Sequence, residues 1–158
     1  MADMKIGSSL MGRVIKFFKE DDWRFTEVEG QTALRLGVNG ENASYSCFAR
    51  VREEQCQFVF YTIMDTKIPE GKRQAVADYL TRANYGMPLG NFEMDFSDGE
   101  VRSKNSISVI DSVDSLTSPL IKKIVYSTIV MMDKYYPGIM AVVFGGKSPE
   151  ESIREIEK

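Results

Sequence analysis

Residues 79–104 read YLTRANYGMPLGNFEMDFSDGEVRSK and decide the fold that the sequence predicts. A helical segment ends here, because Gly86 can adopt the left-handed conformation that closes a helix and Pro88 prevents the helix from continuing. Alternating apolar residues follow Gly90 as far as the Asp98-Gly99 pair, which is typical of a tight hairpin turn. The stretch therefore predicts a helix followed by two antiparallel strands, over 91–97 and from 100 to about 111.

The hairpin around Asp98-Gly99 has one register in which the charges and the apolar residues agree. It places two ion pairs on one face and three apolar side chains on the other. The ion pairs are Glu93–Lys104 and Asp95–Arg102, and the apolar residues are Phe92, Met94 and Phe96. We expect both carboxylates to stay ionised, whereas acid catalysis would need one of them in an apolar pocket that raises its pKa.

The residues before this stretch predict two helices around a strand meander. An apolar stripe with helical spacing predicts a helix over 8–20, and a second helix runs from about residue 70 to 84. Strands are predicted over 23–29, 32–38, 43–52 and 55–64. In the last three strands the apolar residues alternate and share one face.

Two turns set the register of these strands. Asn39-Gly40 favours a two-residue loop, and a four-residue loop over 39–42 is the alternative, with the same residues on the same face. A tight turn at Glu53-Glu54 would pair Val51 with Cys56. Cys47 and Cys56 then share a face, where we expect small buried side chains rather than a redox pair.

The residues after the hairpin predict three helical segments. Ser118 is a candidate cap with Pro119 at the first helical position, and the helix continues to Tyr136. Pro137 is predicted to break or kink it, before a short helical segment over 139–144. A capping box at Ser148 and Glu151 opens the last helix. The whole chain, residues 1–158, is thus predicted to be a single α+β domain in which an antiparallel β-sheet packs against helices.

Composition excludes several function classes. The chain of 158 residues contains no histidine, which removes Ser–His and Cys–His catalysis. Two cysteines are too few for a cysteine-based zinc site, and a net charge of −3 argues against nucleic acid binding. The N-terminus shows no signal peptide and no apolar run is long enough to span a membrane, so we expect a cytoplasmic protein.

Residues 145–148, Gly-Gly-Lys-Ser, resemble the end of a phosphate-binding loop. The full motif requires a glycine where Ala141 stands, and Ser148 is already explained as a helix cap. We therefore predict no phosphate site, no catalytic residue, no metal ligand and no cofactor.

The long helix carries a candidate partner surface. Its main stripe is apolar around most of the circumference, and Tyr126 and Val130 lie on the other side, bordered by Ile129 and Tyr136. Apolar side chains on the charged side of a helix are typical of a protein-binding or self-association face. The alternative is that the protein's own core covers them.

Four groups of residues resemble the YbjN domain family of bacterial sensory-transduction regulators, whose fold is similar to that of type III secretion chaperones. They are residues 58–61 (FVFY), 82–86 (RANYG), 90–95 (GNFEMD) and 137–142 (PGIMAV) with Gly145-Gly146 behind. The resemblance covers 23–156 and implies an α+β domain without catalytic residues. Arg82, Asn84 and Tyr85 match it, and we expect them to brace the turn against the sheet.

Together, the residues and the resemblance predict a non-enzymatic protein-binding or regulatory domain with a secretion-chaperone-like fold. The expected partner is a protein or peptide, and a homodimer is one expected assembly, because secretion chaperones are dimers that hold an extended segment of another protein. The alternative is a small-molecule sensor or a carboxylate-based enzyme with a pocket between the sheet and the helices.

Overall fold

The structure, a computed structural model, describes residues 9–109 and 112–158. Within these residues the chain forms four α-helices and six β-strands. In order they are α1 (Leu10–Glu20), β1 (Phe25–Glu27), β2 (Ala33–Asn39), β3 (Ser44–Arg52), β4 (Gln57–Met64), α2 (Arg73–Asn84), β5 (Asn91–Met94), β6 (Val101–Ser108), α3 (Ser118–Val143) and α4 (Pro149–Ile156). The predicted α+β class is confirmed. None of these helices is long and apolar enough to cross a membrane.

The six strands form one antiparallel sheet in the order β1-β2-β3-β4-β6-β5. Burial alternates along β3 and β4, since one face carries the helices and the other does not. The strand predicted over 23–29 is shorter than expected. The predicted ends of two elements, Ser8 and 110–111, lie outside the described residues.

Two hydrophobic cores lie between the sheet and the helices. The first core is built from α1, the first half of α3 and the centre of the sheet, and the second from α2, the second half of α3 and β5. The Thr62 and Thr128 hydroxyls, 2.9 Å apart, bond to each other where α3 crosses β4, and Ser103 donates to the Thr128 carbonyl at 2.7 Å. These buried polar groups are all paired, as burial requires.

The loop between β2 and β3 has four residues, like the alternative prediction, but it lies one residue further along the chain. Asn39 pairs with Ser44, and the Gly40 N–H donates to the Ala43 carbonyl across the turn at 2.8 Å. The loop therefore covers 40–43. The predicted partners were wrong, but the faces were right, because the register shifted by an even number of residues.

The turn between β3 and β4 is two residues wider than predicted. Val51 pairs with Phe58 rather than Cys56, and Cys56 takes a left-handed backbone conformation with φ of 54°. The Glu53 carboxylate accepts hydrogen bonds from the Leu10 and Met11 N–H groups at 3.2 and 2.9 Å. Glu53 thus completes the N-terminus of α1, where Ser9 is the cap.

The connection between β5 and β6 spans six residues, 95–100, instead of two. Asp95 and Asp98 fold it by accepting hydrogen bonds from the Ser97 and Glu100 N–H groups at 2.8 and 2.9 Å. Glu93 therefore lies opposite Arg102. The predicted Asp95–Arg102 ion pair was wrong, and Phe96, expected on the apolar face, is exposed.

Pro137 does not break α3, which continues to Val143. A proline in a helix leaves the carbonyl four residues earlier without its N–H partner. Here that carbonyl belongs to Asp133, and the Asn42 side-chain amide donates to it at 2.8 Å. The predicted segment over 139–144 is thus the end of α3. The helix begins with Thr117 as its cap, so Ser118 is the first helical residue and Pro119 the second.

Candidate partner-binding surface

The four predicted surface residues occupy different environments on α3, and we call them together the α3 outer surface. Val130 is 55% exposed and Tyr126 38% exposed, one helical turn apart. Ile129 is only 8% exposed and packs in the first core. Tyr136 is half-buried, with its ring 5.9 Å from that of Tyr45. The structure therefore places two of the four residues side by side in solvent and two in the layer beneath.

Tyr126 is held in position by the segment that follows α1. Its hydroxyl donates to Asp21 at 2.7 Å, and its ring packs edge-on against Trp23 with centroids 6.2 Å apart. The Tyr126 hydrogen bond is the main cause that holds the pKa of Asp21 below its usual range. Lys122 lies 5.6 Å from the centre of the Tyr126 ring. Tyr126 is thus a fixed ring that is partly exposed to solvent.

Val130 borders a depression of about 630 Å³ between α3 and the β2–β3 loop. Its lining includes Ile129, Asp133 and Lys134, together with residues 39–42. The shape depends on Asp133, whose carboxylate accepts from the Glu41 and Asn42 N–H groups at 2.9 and 3.0 Å. The depression is therefore preformed.

Asp133 also binds the sheet directly. The Tyr45 hydroxyl donates to it at 2.7 Å. Partial burial disfavours the charged form of Asp133, but the hydrogen bonds outweigh this, and its pKa lies below the usual range. The ionised Asp133 carboxylate thus holds the β2–β3 loop and Tyr45 against α3, and we call these contacts the ionised clamp. The clamp could not be found in the sequence, because Asp133 looks like one more charged residue on the solvent side of a helix.

The turn at the end of α2 differs from the expectation. Asn84 does brace it, since its side chain donates to the Phe92 carbonyl and accepts from the Phe92 N–H at 3.0 and 2.6 Å. Arg82 instead pairs with Asp78 on the same helix at 2.6 Å. Tyr85 is 90% exposed, so its predicted bracing role was wrong.

Three groups that the sequence offered for chemistry, Glu93, Cys47 and Lys147, are held in ion pairs or buried. Burial disfavours ionised Glu93, but hydrogen bonds from Lys104 and Arg102 prevail and lower its pKa. Burial raises the pKa of the Cys47 thiol to about 12, which makes it a poor nucleophile. Lys147 pairs with Glu155, and Ser148 caps α4 in the predicted capping box. No cluster of three metal-ligating side chains occurs in the described parts of the chain.

A family profile described as "Putative bacterial sensory transduction regulator" matches residues 12–140 of the chain. The chain belongs to the YbjN family. The crystal structure of YbjN from E. coli, described as a putative transcription regulator, is similar with a TM-score of 0.56 and 12% identity. That likeness covers 84% of this chain and 88% of that chain.

A second similar structure is the HopA1-SchA chaperone–effector complex, with a TM-score of 0.50 and 12% identity. It covers 85% of this YbjN-family chain and 96% of the matched chain. At such identity the likeness shows the fold alone, which confirms the secretion-chaperone-like architecture. No protein with a curated description matches the chain in sequence.

Proposed function

We propose that this domain is a non-enzymatic, cytoplasmic regulator that binds a segment of another protein at the α3 outer surface. The observation that carries the proposal is Val130, an exposed apolar side chain between the fixed ring of Tyr126 and a preformed depression. An apolar anchor beside a rigid concave surface is what a partner side chain needs to bury itself without reorganising the site.

The comparisons support this proposal at the level of class. The family is described as a regulator, and the fold is shared with a chaperone whose solved complex contains an effector protein. Transfer of the chaperone's protein-binding activity to this chain is an analogy from fold. The residues of the α3 outer surface supply the local chemistry that the analogy lacks.

The test compares two apolar-to-acidic substitutions, one on α3 and one at the residue that follows it. Val130→Asp places a charge at the centre of the α3 outer surface, and Phe144→Asp, at a residue that is 71% exposed, makes the same change beyond the end of α3. Immobilised wild-type and variant domains are incubated with extract of the native cell, and the retained proteins are quantified. We expect Val130→Asp to reduce retention of the partner at least ~10-fold. Loss of a buried anchor side chain costs about 1.4 kcal/mol or more of binding free energy, which corresponds to that factor.

Phe144→Asp should retain the partner at the wild-type level. Equal retention by the wild type and Val130→Asp would contradict the proposed surface.

Light scattering on the purified domain separates the two expected occupants of this surface. A homodimer that Val130→Asp dissociates would assign the surface to self-association, and a monomer at high concentration would leave it to a different protein.

A further inference from the structure

The face of the sheet that carries no helices has an apolar centre. Phe48 on β3 pairs with Tyr61 on β4, and Val59 and Ile63 flank Tyr61 along the same strand face. All four side chains are half-buried, and none of them belongs to either hydrophobic core. They form a small apolar island on a side of the molecule that the described helices leave open.

A cation stands directly opposite each residue of the island. The cross-strand pairs are Arg35–Phe48, Arg50–Val59, Lys104–Tyr61 and Arg102–Ile63. The Arg35 guanidinium lies 5.5 Å from the Phe48 ring centre, and that of Arg102 lies 4.3 Å from the Tyr61 ring centre. We call these eight residues the open sheet face.

Positive charge dominates the centre of this face, although the chain has a net charge of −3. Glu93 at one edge accepts from both Arg102 and Lys104 at 2.5 and 3.0 Å, and so offsets one of those two charges. Arg35 and Arg50 are exposed, and neither is in an ion pair with a described residue. The face therefore complements an acidic ligand.

We propose that the open sheet face binds an extended acidic segment of a partner protein. Arg35 on β2 and Lys104 on β6 are three strand spacings apart, about 14 Å. In an extended chain that distance separates residues i and i+4, whose side chains point the same way as that of residue i+2. A segment with an acid at i, an apolar residue at i+2 and an acid at i+4 thus reaches both cationic margins and the island together.

The observations favour a protein segment over a nucleic acid. Single-stranded nucleic acids bind by stacking bases on free aromatic faces. Here the faces of Phe48 and Tyr61 are each approached by an arginine of the protein itself. Glu93 at the edge of the sheet, and Asp65 just beyond β4, would also repel a chain of phosphates. A peptide with carboxylates only at i and i+4 places fewer negative charges near Glu93 and Asp65 than a chain with a phosphate at every nucleotide.

Fluorescence anisotropy with a labelled peptide tests the proposal. The probe contains Glu-Ser-Phe-Ser-Glu, and its control has lysine in place of each glutamate. The protein variants are Arg35→Glu/Arg50→Glu, and Lys19→Glu/Lys123→Glu as a charge-matched control at exposed helical residues. Arg35→Gln/Arg50→Gln removes the charges without reversing them, and circular dichroism verifies that each variant is folded.

We expect the wild type and the helical control variant to bind the glutamate peptide alike, and salt to weaken this binding. Arg35→Glu/Arg50→Glu should weaken it at least ~10-fold and the glutamine variant by less, because rim charges act mainly through electrostatic attraction. Equal losses in both reversal variants, no binding of the peptide, or stronger binding of oligo-thymidine would each overturn the proposal. The result is independent of the α3 outer surface, which lies on the other side of the sheet.

Discussion

Glu53 and Glu54 are adjacent carboxylates with different partners. Glu53 closes the N-terminus of α1, where its two oxygens accept from the Leu10 and Met11 N–H groups. Glu54 is exposed in the same turn. A carboxylate at a helix N-terminus is favoured both by hydrogen bonds and by the helix dipole. The pair therefore offers a matched comparison within one loop.

We predict that Glu53→Ala lowers the free energy of unfolding by about 1–3 kcal/mol, because the partly buried N–H groups of Leu10 and Met11 lose a charged acceptor. Glu54→Ala should change it by less than about 0.5 kcal/mol. Urea denaturation followed by circular dichroism measures both values. Equal effects of the two substitutions would show that the capping contacts contribute nothing to stability.

Asp133 makes the stability depend on pH in a predictable direction. Its pKa is lowered in the folded state, so the folded protein binds this proton less readily than the unfolded chain. Its contribution is therefore fully present above the unfolded pKa of about 4 and is lost as the pH falls through the lower folded value.

We predict that Asp133→Asn lowers the free energy of unfolding by about 1–3 kcal/mol at neutral pH, since one acceptor of the clamp becomes an amide donor. The difference from the wild type should begin to shrink as the pH falls below about 4 and should vanish below the lower folded pKa, where the wild-type carboxyl is also neutral. Denaturation at several pH values measures this. A difference that stays constant down to low pH would contradict an ionised clamp.

At the scale of elements, the continuity of α3 depends on the β2–β3 loop. Asn42 bonds the Asp133 carbonyl that Pro137 leaves free. With alanine at 137, the helix can make its own hydrogen bond to that carbonyl, and the Asn42 contact becomes redundant. The two residues should therefore be coupled although one is in a loop and the other in a helix.

A double-mutant cycle measures this coupling. Asn42→Ala should cost about 1 kcal/mol in the wild type and less in the Pro137→Ala background. The reason is that the substitution leaves the Asp133 carbonyl unpaired only when Pro137 is present. Ser44→Ala serves as the control, since its hydroxyl bonds Asn39 in the same hairpin without touching α3. Strict additivity of Asn42→Ala and Pro137→Ala would refute the proposed compensation.

Local spacing explains where prediction from the sequence succeeded, and long-range contacts explain where it failed. The order of elements and the inward faces of β2, β3 and β4 follow from local spacing, and they were right. The register of all three hairpins was wrong by an even number of residues. In each case carboxylates bond the loop backbone or a distant helix: Asp133, Glu53, and Asp95 with Asp98. A sequence shows such residues but not the groups that they reach.

The positions of the candidate surface residues on α3 were predictable only in part. Helical spacing placed Tyr126 and Val130 on the solvent side of α3, and they are exposed there. Ile129 is in the core because α3 is packed over a wider arc than its main stripe indicates. The depression beside Val130 and the arginines around Phe48 depend on tertiary pairing, so neither was visible in the sequence.

At the scale of the whole molecule, α3 joins the two cores. Its first half packs in the first core and its second half in the second, and the Thr62–Thr128 bond lies where it crosses β4. Because both cores share α3, removal of this helix from one core would also expose apolar side chains of the other. We therefore expect the two cores to unfold together.

Scanning calorimetry tests this expectation. The wild type should show one transition, with calorimetric and van't Hoff enthalpies that agree. Thr128→Val should lower the unfolding free energy by about 1–2 kcal/mol, because the buried Thr62 hydroxyl keeps only the weak contact with the Cys47 sulfur at 3.8 Å. Thr62→Val/Thr128→Val should cost less than the sum of the single changes. Two separate transitions in the wild type would show that the cores are independent.

The contact between Trp23 and Tyr126 gives the molecule a built-in optical reporter. Trp23 is the single tryptophan of the chain, so its emission has one source. It lies beside the α3 outer surface, with its indole N–H bonded to Asp21 at 2.9 Å, on the helical side of the sheet. A ligand that displaces Tyr126 should shift the emission wavelength, whereas one on the open sheet face should leave it unchanged. A single spectrum can therefore distinguish which side of the sheet is occupied.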